Sequence, residues 1–143
     1  MSGYKISEDV AQAQLDAMEE EYGAIDPASA DAIFEAIRKG LIDFDESAGE
    51  VTYTLQRPPE VDNSAVDVSC VVLREPDSAE MEKVSKGLTV TAKKDGTMEL
   101  DSGFAVKQAV RLVTYVGKWP AGLADRIKRR DIQVIQALAS FFG

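Results

Sequence analysis

The stretch VDVSCVVLREPDSAEMEKVSKG, residues 66–87, holds a strand, a corner and a helix in one run. Val66, Val68, Cys70 and Val72 recur at every second position, which predicts a strand with that face against a core. Val71 and Leu73 add apolar groups to the other face, so the end of the strand is expected to be covered on both sides. Arg74-Glu75-Pro76 ends it, because Pro76 has no N–H for a ladder and drives Glu75 toward an extended backbone. Asp77 then stands at a helix N-cap with Glu80 at N3. The Asp carboxylate can accept from free backbone N–H groups, the Glu can reach back, and both favour the positive end of the helix dipole. Lys83 and Lys86 suit the C-terminal end, and Gly87 suits the C′ position.

Around this centre lies a chain of 143 residues, 45% apolar, a size and composition that fit one core. No apolar run approaches the ~20 residues of a membrane span. The opening MSGYKISEDV has no apolar h-region, so no secretory signal is expected. The one cysteine, Cys70, excludes an internal disulfide framework and suits a reducing cytoplasm; mid-strand, it reads as a small core residue rather than a reactive thiol.

Net charge is −9, unevenly spread. Residues 1–50 hold 13 acidic and 3 basic side chains, whereas residues 101–143 hold 3 acidic and 7 basic. An acidic whole argues against nucleic acid as the main partner, since phosphate binding needs a cationic footprint. Attraction between the two ends and solubility account for the asymmetry more simply.

Taken in order, Ser7 caps an acidic helix over 8–22 with sparse apolar residues, Val10, Met18 and Tyr22 near one stripe and Leu15 beside it. Residues 1–25 therefore read as an acidic helical arm that either packs lightly on the domain or serves another chain, with 26–143 as the domain. Asp26-Pro27 opens a second helix, by N-cap and N1, and Gly40 stops it. Residues 41–55 alternate around Gly49 as a β-hairpin, closed by Pro58-Pro59. Residues 88–100 suggest a second hairpin turning at Lys94–Thr97, with a flexible excursion as the alternative. Asp101 or Ser102 caps an apolar helix over 103–116. After a break and a helical turn over 121–128, Asp131 caps a last helix running to Phe142. The fold class expected is α+β: a small antiparallel sheet, hairpin plus central strand, against several helices, with a helical C-terminal half.

Chemistry is sparse. The chain has no histidine, so the usual general base is absent, and with one cysteine a Cys/His zinc site within one chain is excluded. No phosphate-cradling glycine loop or nucleophile elbow occurs. The acidic run Asp43, Asp45, Glu46, Glu50 fails the EF-hand pattern, because Ala48 stands where the loop needs glycine. No enzyme activity, cofactor or metal is expected. Lys118, Arg126, Lys128, Arg129 and Arg130 cluster near Trp119; basic residues with an aromatic can bind single-stranded nucleic acid, but the acidity of the chain favours a helix-end role or a protein partner. Phe142 fits the core stripe of the last helix. Phe141 either faces a partner or covers another side of the core.

Three pieces of the chain resemble one family. Ala36-Ile-Arg-Lys-Gly40 runs into the acidic hairpin that ends in Tyr53-Thr-Leu55. Leu73-Arg-Glu-Pro-Asp-Ser78 forms the corner. An apolar helix ending at Val116-Gly117 is followed by Trp119-Pro120, Asp131 and the terminal Phe141-Phe142-Gly143. In this order they resemble the small tail assembly chaperones of long-tailed bacteriophages and prophages, over residues 36–143. Asp77 departs from that family's usual threonine but keeps the capping chemistry. The 88–100 insertion and the acidic arm lie outside the pattern.

The resemblance implies a non-enzymatic protein of the host cytoplasm. It would hold the tape-measure protein soluble while tail-tube subunits polymerise around it, and self-associate as members often do. The partners implied are the tape-measure protein and the tail-tube protein, with no nucleic acid and no membrane. The rival readings are a structural tail or connector subunit of the virion and an acidic adaptor for a host protein. The partner-binding residues expected are Trp119, Arg126, Arg129, Arg130, Phe141 and Phe142; Asp77, Glu80 and Asp131 are expected to be structural caps.

Overall fold

A computed structural model describes residues 4–60, 68–86, 88, 90–92, 98–100 and 103–142. Ser7 accepts from the Val10 amide and opens helix α1, Glu8–Tyr22. Asp26 accepts from the Ser29 amide and, with Pro27 at N1, opens α2, Pro27–Arg38. The two helices pack together, burying Ala11, Leu15 and Met18 of α1 with Ile33, Ala36 and Ile37 of α2 in one cluster. Of the two readings of the 8–22 helix, the structure shows the one in which it packs on the domain: three small or slender side chains at i, i+4 and i+7 suffice to seat an otherwise acidic helix. Val10 is not on that stripe and is half exposed.

Gly40, at φ +77°, turns the chain out of α2 through a conformation that costs other residues a Cβ clash. A three-stranded antiparallel sheet follows, in the order β1 (Ile42–Asp45), β2 (Glu50–Thr54) and β3 (Cys70–Arg74). Its register sets Ile42 opposite Tyr53 and Tyr53 opposite Val71, and sets Phe44 opposite Val51 and Val51 opposite Leu73. These side chains form the face under the helices. The alternation in β3 therefore has the opposite phase to that expected. Val71 and Leu73 are fully buried, while Val72 is 37% exposed and Cys70 only partly covered. Helices cover one face of this sheet, and the pairing with Val51 and Tyr53 decides which. Val66 lies outside the described residues.

Past Pro76 comes α3, Ser78–Ser85, with both halves of the Asp77/Glu80 capping box formed. Gly87 lies outside the described residues. β4 (Val90–Ala92) and β5 (Met98–Leu100) pair antiparallel as the second hairpin; its turn, Lys94–Thr97, is not among the described residues, nor are Asp101 and Ser102. α4, Phe104–Tyr115, starts from Gly103 at φ +75° with no side-chain cap. A Cβ on Gly117 would stand 2.6 Å from the Val113 carbonyl, so only glycine lets the chain fold back there. A 3-10 turn, Ala124–Arg126, leads to α5, Arg129–Ala139. No helix among the described residues is long and apolar enough to cross a membrane.

The start of α5 differs from expectation. Its N-cap is Lys128, with no side-chain cap bond, and Asp131 lies inside the first turn, fully buried. Asp131 caps a different backbone. Its Oδ1 accepts from the Tyr53 hydroxyl at 2.6 Å and the Gln56 amide at 2.8 Å, and its Oδ2 accepts from the Arg57 amide at 2.9 Å. The carboxylate thus ties the chain leaving β2 to the last helix. Burial, together with donation to this carboxylate, pushes the Tyr53 phenol well above its ordinary value.

The core closes at Phe141 and Phe142, 8% and 6% exposed. Tyr22 meets Phe141 at a tilt and Phe142 edge-on, at 5.6 and 4.9 Å between ring centroids, and meets Phe44 edge-on at 5.8 Å. The Tyr22 hydroxyl donates to the Gly49 carbonyl at 2.7 Å, and burial pushes it up to about 12.

Candidate protein-docking surface

The Asp131 tether determines what stands beside the N-terminus of α5. It presses the segment after β2 against the helix, and Arg57 comes to line a depression with Lys128, Arg129, Arg130 and Gln133. A second depression shares Lys128 and Arg129 and runs on through Arg126 and Ile127 to Pro58 and Pro59. Arg57, Arg126, Lys128, Arg129 and Arg130 are all exposed. Glu60 and Asp125 sit on the rim of the second depression, yet none of these five cations forms an ion pair or side-chain hydrogen bond among the described residues. Elsewhere, Arg38, Lys39, Arg74 and Lys118 each reach a carboxylate within 4.0 Å. Five cations without a paired carboxylate among the described residues, on a chain of net charge −9, form a patch whose chemistry suits an anionic group or an acidic protein face.

Of the partner-binding residues expected from sequence, Arg126, Arg129 and Arg130 belong to this platform. Trp119, Phe141 and Phe142 do not: Trp119 is 6% exposed, and all three are core. They are corrected from anchors to packing residues: all three join the buried cluster, and Tyr22 lies against the two phenylalanines. Arg57 was missed. It lies 69 residues before Arg126 in sequence and joins the cluster only through the backbone bond to Asp131.

The corner is a second polar centre, and it is self-satisfied. Arg74 grips Glu80 with two parallel hydrogen bonds, 2.9 and 2.7 Å, and the Asp77 amide donates to Glu80 Oε1 at 3.0 Å. The Lys118 ammonium approaches Glu80 Oε2 at 3.4 Å from the loop after α4. The Arg74 guanidinium first, and the Asp77 amide after it, hold the Glu80 carboxyl down at about 2. A depressed folded-state value stabilises above the unfolded value of 4.5, and the contribution fades as pH falls toward 2. Glu80→Gln is therefore expected to cost about 1–3 kcal/mol at pH 7, with the gap to wild type closing between about pH 5 and 2. Urea unfolding of both chains across that range checks it; a constant gap would remove the ion pair as its source.

Among the described residues, no group of three or more His, Cys, Asp or Glu side chains is placed to hold a metal. Comparison of the chain with protein-family models, curated proteins and solved structures returned no match.

Proposed function

We propose that this chain is a tail assembly chaperone of a long-tailed phage or prophage. In this reading it acts without catalysis in the host cytoplasm, binds the tape-measure protein and keeps it soluble while the tail tube polymerises around it. Two supports are independent of each other. The first is the order of the three sequence pieces: helix–Gly40–hairpin, the Leu73–Ser78 corner, and the Trp119…Asp131…Phe142 tail. The second, which carries the docking role, is the patch of Arg57, Arg126, Lys128, Arg129 and Arg130, left without acidic partners inside the segment of the resemblance. The client contact moves accordingly from the buried phenylalanines to these cations, which would meet acidic stretches of a long helical client.

The test is co-expression with the tape-measure protein that this reading expects to be encoded nearby. The client is expected in the soluble fraction and to co-purify with the chain. Arg126→Glu, Arg129→Glu and Arg130→Glu together should abolish both while leaving the thermal unfolding midpoint within a few degrees. Full client solubility with the triple variant would place the contact elsewhere. Stoichiometric recovery of the chain in purified virions would favour a structural tail or connector subunit instead.

A further inference from the structure

A groove of about 460 Å³ lies between α1 and β1, lined by Asp9, Val10, Ala13, Gln14, Ala17, Phe44 and Glu46. Three of its features converge on one kind of occupant. β1 is an edge strand, since its neighbour on one side is β2 and it has none on the other among the described residues. Backbone groups of an antiparallel strand alternate between its two sides. The Thr54 amide donates to the Leu41 carbonyl at 2.7 Å and the Gly49 amide donates to the Asp45 carbonyl at 2.8 Å, so residues 41, 43 and 45 turn toward β2. Ile42 and Phe44 must then turn their N–H and C=O groups outward, where no described residue pairs with them.

The groove floor holds a second unmet demand. Gln14 Oε1 is buried with no hydrogen-bond partner among the described residues. A buried acceptor without a donor is costly, and a turn of the Gln14 side chain toward an N–H arriving in the groove would relieve it. The walls supply the third feature. Ala13 and Ala17 leave room for a backbone to approach α1, and Val10 offers an apolar contact that is 50% exposed. Asp9 and Glu46 line the same groove, and Asp43 and Asp45 continue the acidic margin along β1.

We infer that this groove binds an extended segment of another protein, added as a fourth strand on β1, apolar at alternate positions and flanked by lysine or arginine. The outward amides and carbonyls of Ile42 and Phe44 call for a strand, because a helix has no spare backbone groups to meet them. The acidic margin selects cationic flanks, and it disfavours the acidic front of a second copy. This inference stands apart from the chaperone reading and from the basic platform; either can fail without the other.

The probe is a labelled, end-blocked heptapeptide of sequence lysine–valine–threonine–valine–threonine–valine–lysine, titrated against the full chain. Saturable binding is expected, with slowed amide exchange at Ile42 and Phe44. Binding should weaken at least tenfold when alternate peptide nitrogens are methylated, and likewise when glutamates replace the lysines. Gln14→Leu should weaken binding several-fold while the free chain stays as stable as wild type or gains stability, since it removes the unpartnered acceptor. Ala13→Arg should block the groove. No saturable binding overturns the inference. So do equal binding of the methylated peptide, which would indicate a helix or an unordered contact, equal binding of the glutamate peptide, and protection that appears away from β1.

Discussion

Asp131→Ala is expected to lower stability by about 3 kcal/mol, the largest loss from any single polar group in this fold. The substitution removes the acceptor of the Tyr53 hydroxyl, the Gln56 amide and the Arg57 amide at once. The Tyr53 side chain is fully buried and cannot recruit water without opening the core, whereas the two amides lie nearer the surface and can. Most of the loss should therefore be shared with Tyr53. In a double-mutant cycle with Tyr53→Phe, a coupling of about 1 kcal/mol or more is expected. Urea unfolding of the four chains measures it. A loss below about 0.5 kcal/mol for Asp131→Ala would mean that the tether is replaced by solvent at little cost.

The second large effect is at the other end of α5. Phe142→Ala is expected to cost about 3–4 kcal/mol and Phe141→Ala slightly less, because both rings are packed against Tyr22 rather than frayed. Residues at a helix end ordinarily tolerate truncation within ~0.5 kcal/mol. Thermal unfolding of the two variants, with near-ultraviolet circular dichroism to report on Tyr22, decides between a packed and a frayed end. Any effect of these substitutions on a partner must be judged against the fraction still folded, since they remove core.

The elements legible in sequence were those whose signals are local. The cap Asp77, the partner Glu80 and the breaker Pro76 all act within a few residues, and the corner formed as read. The same holds for Ser7, Asp26-Pro27 and the hairpin around Gly49. What could not be read were choices made by distant chain. Val66, Val68, Cys70 and Val72 outnumber Val71 and Leu73 as an apolar face in the sequence, yet within β3 pairing with Val51 and Tyr53 buried Val71 and Leu73 rather than Cys70 and Val72. Asp131 has the residue type of a helix cap, but its hydrogen-bond partners begin 74 residues earlier. Arg57 looks like loop charge until that bond sets it beside Arg129 and Arg130. Sequence left open whether the helix at 8–22 packs or serves another chain, because its apolar residues are few; three suffice when α2 presents a dense face. Of the docking platform, the run at 126–130 was visible; Phe142 was legible as core, whereas the burial of Trp119 was not, and Phe141 could be read either way.

The Asp131 tether also has a consequence in time. Its bonds join residues 74 to 78 positions apart, so none can form until the chain between has been drawn into a closed loop. Local elements such as the hairpin and the capped corner can assemble before that closure; the tether is expected to form only once the barrier is passed. Interactions made after the rate-limiting barrier do not hasten folding; they hold the finished molecule shut. Weakening this carboxylate should leave the refolding rate nearly as it was and show itself as faster escape from the native state, so the buried aspartate acts as a latch on the lifetime of the fold.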